Sequence, residues 1–464
     1  MVIASIDIQN GKAVQLKQGS VLMLEREDLT ELALEFDRCG EVAVIDLDAA
    51  LRKGNNAEII KPLLRKAECR VGGGIRSPEQ AKELVSLGAR KIIVGSLVFR
   101  NPGSRVRDPS SRTREPSQGG AAGEFGLNRE FLEGLEKAIG RDRIIIAVDA
   151  KKAAANGGGY EITVDGWKTP TGLPLIETAR EAAAYASELL FTCVDREGTM
   201  TGIDLEPVKL LREAAGENCR ITAAGGVSTL EEAEALAALG CDVQLGMALY
   251  TGKISLADAF IASLNWKKAA GAGPGGAGIG SESADLLIPV IAQSTDGQVL
   301  MTGFADREAL SESFKRGNLC FHSRTRNKLW MKGEHSGNVL RLRRLRADCD
   351  RDAVLATVEP AGPVCHTGGW SCFGTNRRYT WEYLQSVIAS RIRGGEAGSY
   401  TAALDHDLVR EKIREEAEEL CAAAAHDEIV WEAADLLYFA TVLMTRGGVG
   451  VDEVLDELER RHRK

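Results

Sequence analysis

The sequence predicts a multidomain protein: a (β/α)8 TIM barrel, then a small mixed, β-rich domain, then an all-α helical domain. Three observations predict it. Between residues 2 and 250, eight continuous apolar runs alternate with amphipathic helical patterns, as expected of parallel strands covered on both faces and closed into a ring. Residues 269–284, AAGAGPGGAGIGSESA, have the small, flexible composition of a linker. Beyond it, 285–376 is rich in strand formers and turns, whereas 377–464 carries helical periodicity throughout. A chain of 464 residues, 44% of them hydrophobic, suffices for about three such cores.

The eight runs are VIASIDI, VAVIDLD, CRVGGG, KIIVGS, IIIAVDA, LLFTCVD, RITAAGG and VQLGMALY. Helices such as SPEQAKELVSLGA separate them. An open doubly wound sheet is the alternative on strand count alone. GGIRSPEQAKELVSLG at 73–88 matches GGVSTLEEAEALAALG at 225–240 at a constant offset of 152, which reads as duplication of a half-barrel. Residues 101–126 lack apolar periodicity and read as a surface insertion into the 1–268 barrel.

A formal charge of −9 argues against broad binding to nucleic acid and leaves small anionic ligands as partners. No apolar run reaches the roughly 20 residues of a membrane span, so a soluble, cytoplasmic location is expected. The ten cysteines are too sparse for a secreted disulfide framework. All six histidines lie after residue 320, so acid–base chemistry in the barrel must use other groups.

Asp7 and Asp149 end the first and fifth strands, where a barrel carries its chemistry, and paired carboxylates there suit a general base and a general acid. Capping of the next turn is the plainer use of each. The pairs Gly73–Gly74 and Gly225–Gly226, with Gly95–Ser96 and Gly246, suit two phosphate cradles related by the repeat; tight helix–strand packing is the alternative. These segments, IDIQNGKAVQLKQG, VIDLDAA, VGGGIRSPEQ, AVDAKK, DREGT and AAGGVSTLEEAEAL, resemble the histidine-biosynthesis barrels, the phosphoribosylformimino aminoimidazole carboxamide ribotide isomerase and its cyclase relative. KQG and ALYTG favour the isomerase, whereas PTG at 170–172 and VDREGT at 194–199 are also similar to the cyclase. The resemblance implies an Amadori rearrangement of an aminoaldose with Asp7 as base, Asp149 as acid and Thr192 assisting, and a substrate-contacting role for Trp167. Gln15 stands where the isomerases usually carry an arginine, Asp165 where a basic residue is common, and Glu197 in place of an aspartate. Each lost charge contact to a phosphate costs about 1–3 kcal/mol, so a barrel that binds without catalysis is the rival reading.

In the middle domain Cys349, Cys365 and Cys372 are spaced by 16 and 7 residues, unlike paired zinc knuckles. Three thiolates without a fourth protein ligand describe an open Zn2+ position. Asp348, Asp350 and Asp352 alternate, so an extended backbone would place them on one face and Cys349 on the other, oxygen for Mg2+ and sulfur for zinc. A solvated edge and buried small hydrophobes are the plainer uses. Upstream, Arg324, Arg326, Lys328 and Lys332 gather around Trp330, suited to a phosphoribosyl group and a stacked base. HSRTRNKLWMKGEHSGN, RADCDRDA and CHTGGWSCF closely resemble phosphoribosyl-AMP cyclohydrolase. That resemblance implies zinc on the cysteines across a homodimer interface, magnesium on the aspartates, opening of the adenine ring by water, and His366 as a proton carrier.

In the helical region, Glu415, Glu416 and Glu419 on one helix and Glu432 and Asp435 on another suit magnesium on a pyrophosphate. Charge runs on helices are more often solvated faces, but WEAADLLYFA sets its acids in an apolar helix, where unpaired burial is costly. SYTAAL, KIREEAEEL and WEAADLLYF closely resemble phosphoribosyl-ATP pyrophosphohydrolase, an all-helical fold that assembles as a dimer or larger. Together the resemblances imply successive steps of histidine biosynthesis on phosphoribosyl-nucleotide substrates.

Overall fold

The computed structural model describes residues 1–100, 125–153, 159–269, 286–374, 376–394 and 399–462. All but the first residue of the linker expected at 269–284, and most of the insertion at 101–126, lie outside them. The described residues form two compact units, Met1–Ala292 with Thr302–Gly362, and Gln293–Met301 with Pro363–Lys464. No helix among them is long and apolar enough to cross a membrane.

The first unit contains the barrel. Its strands in chain order are β1 (Val2–Gln9), β2 (Lys12–Lys17), β3 (Val21–Arg26), β4 (Val42–Asp46), β5 (Cys69–Gly72), β6 (Lys91–Val94), β7 (Ile144–Lys152), β8 (Tyr160–Val164), β9 (Thr169–Pro174), β10 (Glu188–Cys193), β11 (Arg220–Ala224) and β12 (Asp242–Leu245). Eight of these pair in parallel in the order β1-β4-β5-β6-β7-β10-β11-β12 and close back on β1. The eight apolar runs are these strands. VQLGMALY is strand only to Leu245, because Gly246 breaks it and Met247–Tyr250 turns helical. The antiparallel ribbons β2–β3 and β8–β9 extend β1 and β7 beyond the ring.

Periodicity fails for these ribbons for identifiable reasons. β3 buries none of its side chains, with Val21, Leu22 and Met23 all exposed, so it lacks the one-sided alternation of a packed strand. β9, TPTGLP, carries two prolines and a glycine, which edge strands tolerate and central strands do not.

The core between ring and helices is aliphatic, with Ile6, Ile8, Val44, Ile146, Phe191 and Ile221 fully buried. The floor of the ring is charged instead. Arg70 and Glu188, both 0% exposed, pair with each other, Lys91 reaches Glu188 at 2.9 Å, and Glu41 completes the group. These residues stand at the strands' N-terminal ends, so the polar plug closes the end opposite Asp7 and Asp149.

The small sheet orders as β14-β13-β18-β17, with β13 (Ile288–Ser294), β14 (Val299–Ala305), β17 (Leu340–Ala347) and β18 (Val354–Pro360); the hairpin β15 (Cys320–Ser323) and β16 (Lys328–Met331) stands apart. Within the first unit this region docks on the barrel floor. Arg344 pairs with Asp37 and with Glu68 at 2.8 Å, Arg346 pairs with Glu68, and Phe314 meets Phe260 edge-on at 6.2 Å. In the second unit, Ser371 Oγ donates to the Val299 carbonyl at 2.8 Å, and helices Trp381–Gly394, His406–Ala422 and His426–Arg446 pack through Ile388, Leu404, Val409, Phe439 and Val442.

Candidate functional site

The barrel mouth brings together the acids the sequence singled out and adds one. Asp7 accepts from Ser5 Oγ at 2.8 Å, and burial pushes its carboxyl up to about 6. Asp149 stands in register with Thr192 on β10, and the Thr192 hydroxyl and Trp167 side chain both hydrogen-bond its carboxyl, which burial nonetheless raises. Glu197 faces both. Burial first, then the charges of Asp7 and Asp149, push it up to about 8. In the sequence Glu197 signalled only a departure from pattern; the structure makes it the third member of an acid group.

Glu197 predicts a pH signature. Its ordinary value is near 4.5, so between about 4.5 and 8 the folded chain holds a proton that the unfolded chain releases. The stabilisation is therefore full below about 4.5 and lost as pH rises through about 8. Urea unfolding of Glu197→Gln against the parent is expected to show near-equal stability near pH 4 and a gain of several kcal/mol at pH 8.5. An equal difference at both pH values would count against this proton.

Trp167 and Asp165 both adopt left-handed backbone, φ +68° and +57°. The Trp167 ring lies over the β2–β3 turn, where a Cβ added to Gly19 would come within 2.8 Å of it. Ser96, expected to hold phosphate, accepts the Asp165 amide at 2.9 Å and so anchors this turn. Asp165 is neutralised in place by Arg100.

The two glycine pairs repeat one backbone shape. Gly73 and Gly225 have φ of +97° and +94°, and a Cβ there would collide with the carbonyl oxygens of Asp46 and Cys193 respectively. Close packing thus demands these glycines whether or not phosphate binds. Gln15 is 5% exposed; its amide lies against Gly246, and its Nε2 has no hydrogen-bond partner among the described residues. It is a neutral donor at the expected cradle. The network of Asp46, Asp48 and Asn56, with Asn10 N donating to Asp48 at 2.6 Å, fixes the β1–β2 corner beside Asp7.

Asp348, Asp350 and Asp352 converge with carboxylate oxygens within 4.8 Å of one another. They do so in the turn between β17 and β18, not on the extended segment the alternation predicts. Within the turn, Asp348 Oδ1 accepts the amides of Asp352 at 3.0 Å and Ala353 at 3.2 Å, and Arg351 takes φ +65°. The assignment of carboxylates and Cys349 to opposite faces of a strand is therefore corrected to a folded turn.

Cys349 is exposed on that turn. In the second unit Cys365 is half-buried, with its Sγ 3.1 Å from Thr367 Oγ1 and 3.9 Å from the exposed His366 ring, and Cys372 is exposed. Six of the other seven cysteines are buried and serve as core, and the seventh, Cys421, is exposed in the helical region. On the β15–β16 hairpin, Arg326 and Lys332 each stand 5.9 Å from the Trp330 ring, and Arg324 lies 3.8 Å over Phe304. The hairpin also carries a buried group the sequence pattern did not single out: His322 on β15, whose Nδ1 meets Asp306 Oδ2 at 2.6 Å and whose Nε2 meets Asn327. Its place at the head of HSRTRNKLWMKGEHSGN was the available signal, and its partner Asp306 lies sixteen residues upstream.

In the helical region Glu416, Glu432 and Asp435 converge within 4.8 Å across two helices. Burial and the neighbouring acids raise Glu416 and Glu432, the latter with Glu419 beside it. Glu415 is not part of this group; it pairs with Lys412 at 2.6 Å.

A model of the histidine biosynthesis protein family matches residues 1–110 and 124–255, one of phosphoribosyl-AMP cyclohydrolase matches 301–374, and one of phosphoribosyl-ATP pyrophosphohydrolase matches 382–462. The chain is 40% identical over 193 residues to the histidine biosynthesis bifunctional protein HisIE of Bacillus subtilis, covering 38% of this chain and 92% of that one. It is 38% identical over 198 residues to the HisIE protein of Photobacterium profundum, covering 39% and 96%. The acid groups thus fall inside three matched regions in barrel, sheet and helix order, and the chain belongs to the histidine biosynthesis protein family, with cyclohydrolase and pyrophosphohydrolase domains following its barrel.

Proposed function

We propose that this chain is a multifunctional enzyme that releases pyrophosphate from phosphoribosyl-ATP, opens the adenine ring of the resulting phosphoribosyl-AMP, and isomerises the aminoaldose product to the ketose. The observation carrying this reading is that each matched region holds a converged acid group: Asp7, Asp149 and Glu197; Asp348, Asp350 and Asp352; Glu416, Glu432 and Asp435.

The helical acids are hard oxygen donors, and burial together with the neighbouring acids pushes Glu416 and Glu432 toward protonation, the condition a magnesium ion relieves. Bound magnesium would neutralise charge on the phosphates; the acids orient the attacking water. In the middle region the accessible thiols Cys349, Cys365 and Cys372 fit a soft cation such as zinc, whose contribution when bound is Lewis acidity. Arg324, Arg326 and Lys332 hold phosphate and ribose, Trp330 stacks the base, and His366 carries protons. Because Cys349 and the other two thiols lie on separate segments, ligands drawn from two chains of a homodimer are part of the proposal.

In the mouth, Asp149 donates a proton to the ribose ring oxygen as the ring opens, held in aim by Thr192 and Trp167. Asp7 in its carboxylate form removes the proton from the adjacent carbon, and the enolamine then tautomerises to the ketose. The test is to feed the protein phosphoribosyl-ATP with zinc and magnesium and follow products by chromatography. Pyrophosphate, then aminoaldose, then ketose is expected, with Asp149→Asn stalling at the aminoaldose. Parent protein that also stalls there would leave a bifunctional hydrolase with a binding-only barrel, the reading that Gln15 at the Gly246 cradle favours.

A further inference from the structure

The acidic turn of the cyclohydrolase-like region does not stand free of the barrel. At its centre Arg351 holds φ +65°, a backbone conformation that a non-glycine residue keeps only where its surroundings enforce it. The enforcement comes from three barrel segments. The Arg351 guanidinium donates from Nη1 to the Ala237 carbonyl at 3.0 Å, and from Nη2 to the Cys241 carbonyl at 2.9 Å and to Asp242 Oδ1 at 3.0 Å. The Arg351 carbonyl accepts the Asn265 amide at 2.7 Å. This side chain is 12% exposed and Asp242 6%, and Arg220 holds the other oxygen of Asp242.

Turning Arg351 into the barrel floor directs its two neighbours outward. Asp350 and Asp352 then meet a second barrel group, the Lys268 ammonium, which pairs with Asp350 and lies 3.2 Å from Asp352. One residue of the turn is thus an anchor, and the two beside it share a cation supplied by the barrel's last described helix, Trp266–Ala269.

We propose that the barrel serves as a positioning element for the cyclohydrolase-like region: Arg351 sets the convergence of Asp348, Asp350 and Asp352, and Lys268 is an internal cation that a divalent ion displaces. The inference rests on reading these converged aspartates, like the helical acids of the proposed function, as a magnesium site. It gives the barrel a task independent of any chemistry in its mouth, and it assigns opposite signs to two substitutions. Losing the anchor disperses the ligands and weakens metal binding. Losing the competing ammonium strengthens it, since a lysine that must leave opposes the ion by simple charge competition.

The test is Mn2+ binding to the full chain, read by electron paramagnetic resonance in a Glu416→Gln, Asp435→Asn background that silences the helical acid group. Arg351→Gln is expected to weaken the affinity about 10-fold, Arg351→Lys to fall between, and Lys268→Ala to tighten it about 3- to 10-fold, the last gain shrinking as salt rises. Unchanged affinity in Arg351→Gln with an unchanged melting curve would overturn the anchoring role, and weakened or equal affinity in Lys268→Ala would overturn the competition. Should Arg351→Gln fail to fold, Lys268→Ala alone still decides whether the barrel acts on this site. Asp350→Asn separates the two layers: if it leaves Mn2+ binding intact, the magnesium reading itself fails, whereas lost binding there with unchanged affinity in both barrel-contact variants refutes only the inference.

Discussion

Cys365→Ala is expected to abolish opening of the adenine ring, by roughly 10³-fold or more in kcat/KM, while pyrophosphate release continues at the parent rate. The loss should be chemical and not a failure to fold. The Cys365 amide donates to the Gly369 carbonyl at 2.9 Å and its side chain is only half-buried, so truncation is expected to cost less than about 1 kcal/mol of stability. Metal analysis should find zinc lost in step with ring opening. Ring opening that survives alongside a full zinc complement would remove Cys365 from the ligand set.

The second large effect is expected at Glu416, where activity and stability should move in opposite directions. Glu416→Gln should lower pyrophosphate release by about 10²- to 10³-fold, because it withdraws one of three converging oxygen ligands. It should also raise the melting temperature of metal-free protein. Burial, then Asp435 and Glu419, push the Glu416 carboxyl up, so the folded state loses stability as pH rises through its raised value. A neutral glutamine escapes that loss and should be the more stable form at pH 8, with little gain near pH 4. Added magnesium should stabilise the parent and leave the variant nearly unmoved. A variant that melts lower, or that gains as much from magnesium as the parent, would show that the acids are a solvated face.

The ring of eight strands was legible because a parallel strand buried on both faces must be apolar along its whole length, and VIASIDI or IIIAVDA can be little else. The half-barrel repeat was legible for a related reason: Gly73 and Gly225 each press against a neighbouring backbone that leaves no room for a Cβ. Asp7 and Asp149 could be found because strand ends define the mouth. What escaped depends on partners distant in sequence. Glu197 acquires its meaning only from two carboxylates on other strands, and Ser96 is engaged by a turn about seventy residues away. The acidic tract shows the limit most sharply. Alternation read it as a strand, but an arginine among aspartates carries no local sign that it will enter a barrel floor more than a hundred residues upstream. In the helices, spacing alone could not separate Glu416, which turns inward, from Glu415, which finds Lys412.

Docking on the barrel floor also fixes which end of the ring the turn faces. The acidic turn meets the N-terminal ends of the strands, whereas Asp7, Asp149 and Glu197 open at the opposite end, and the buried Arg70–Glu188 plug closes the bore between them. Among the described residues, the acidic turn therefore faces a closed ring floor and not a passage to the mouth acids. Joining these domains in one chain fixes their copy number at one to one, whatever chemistry each performs.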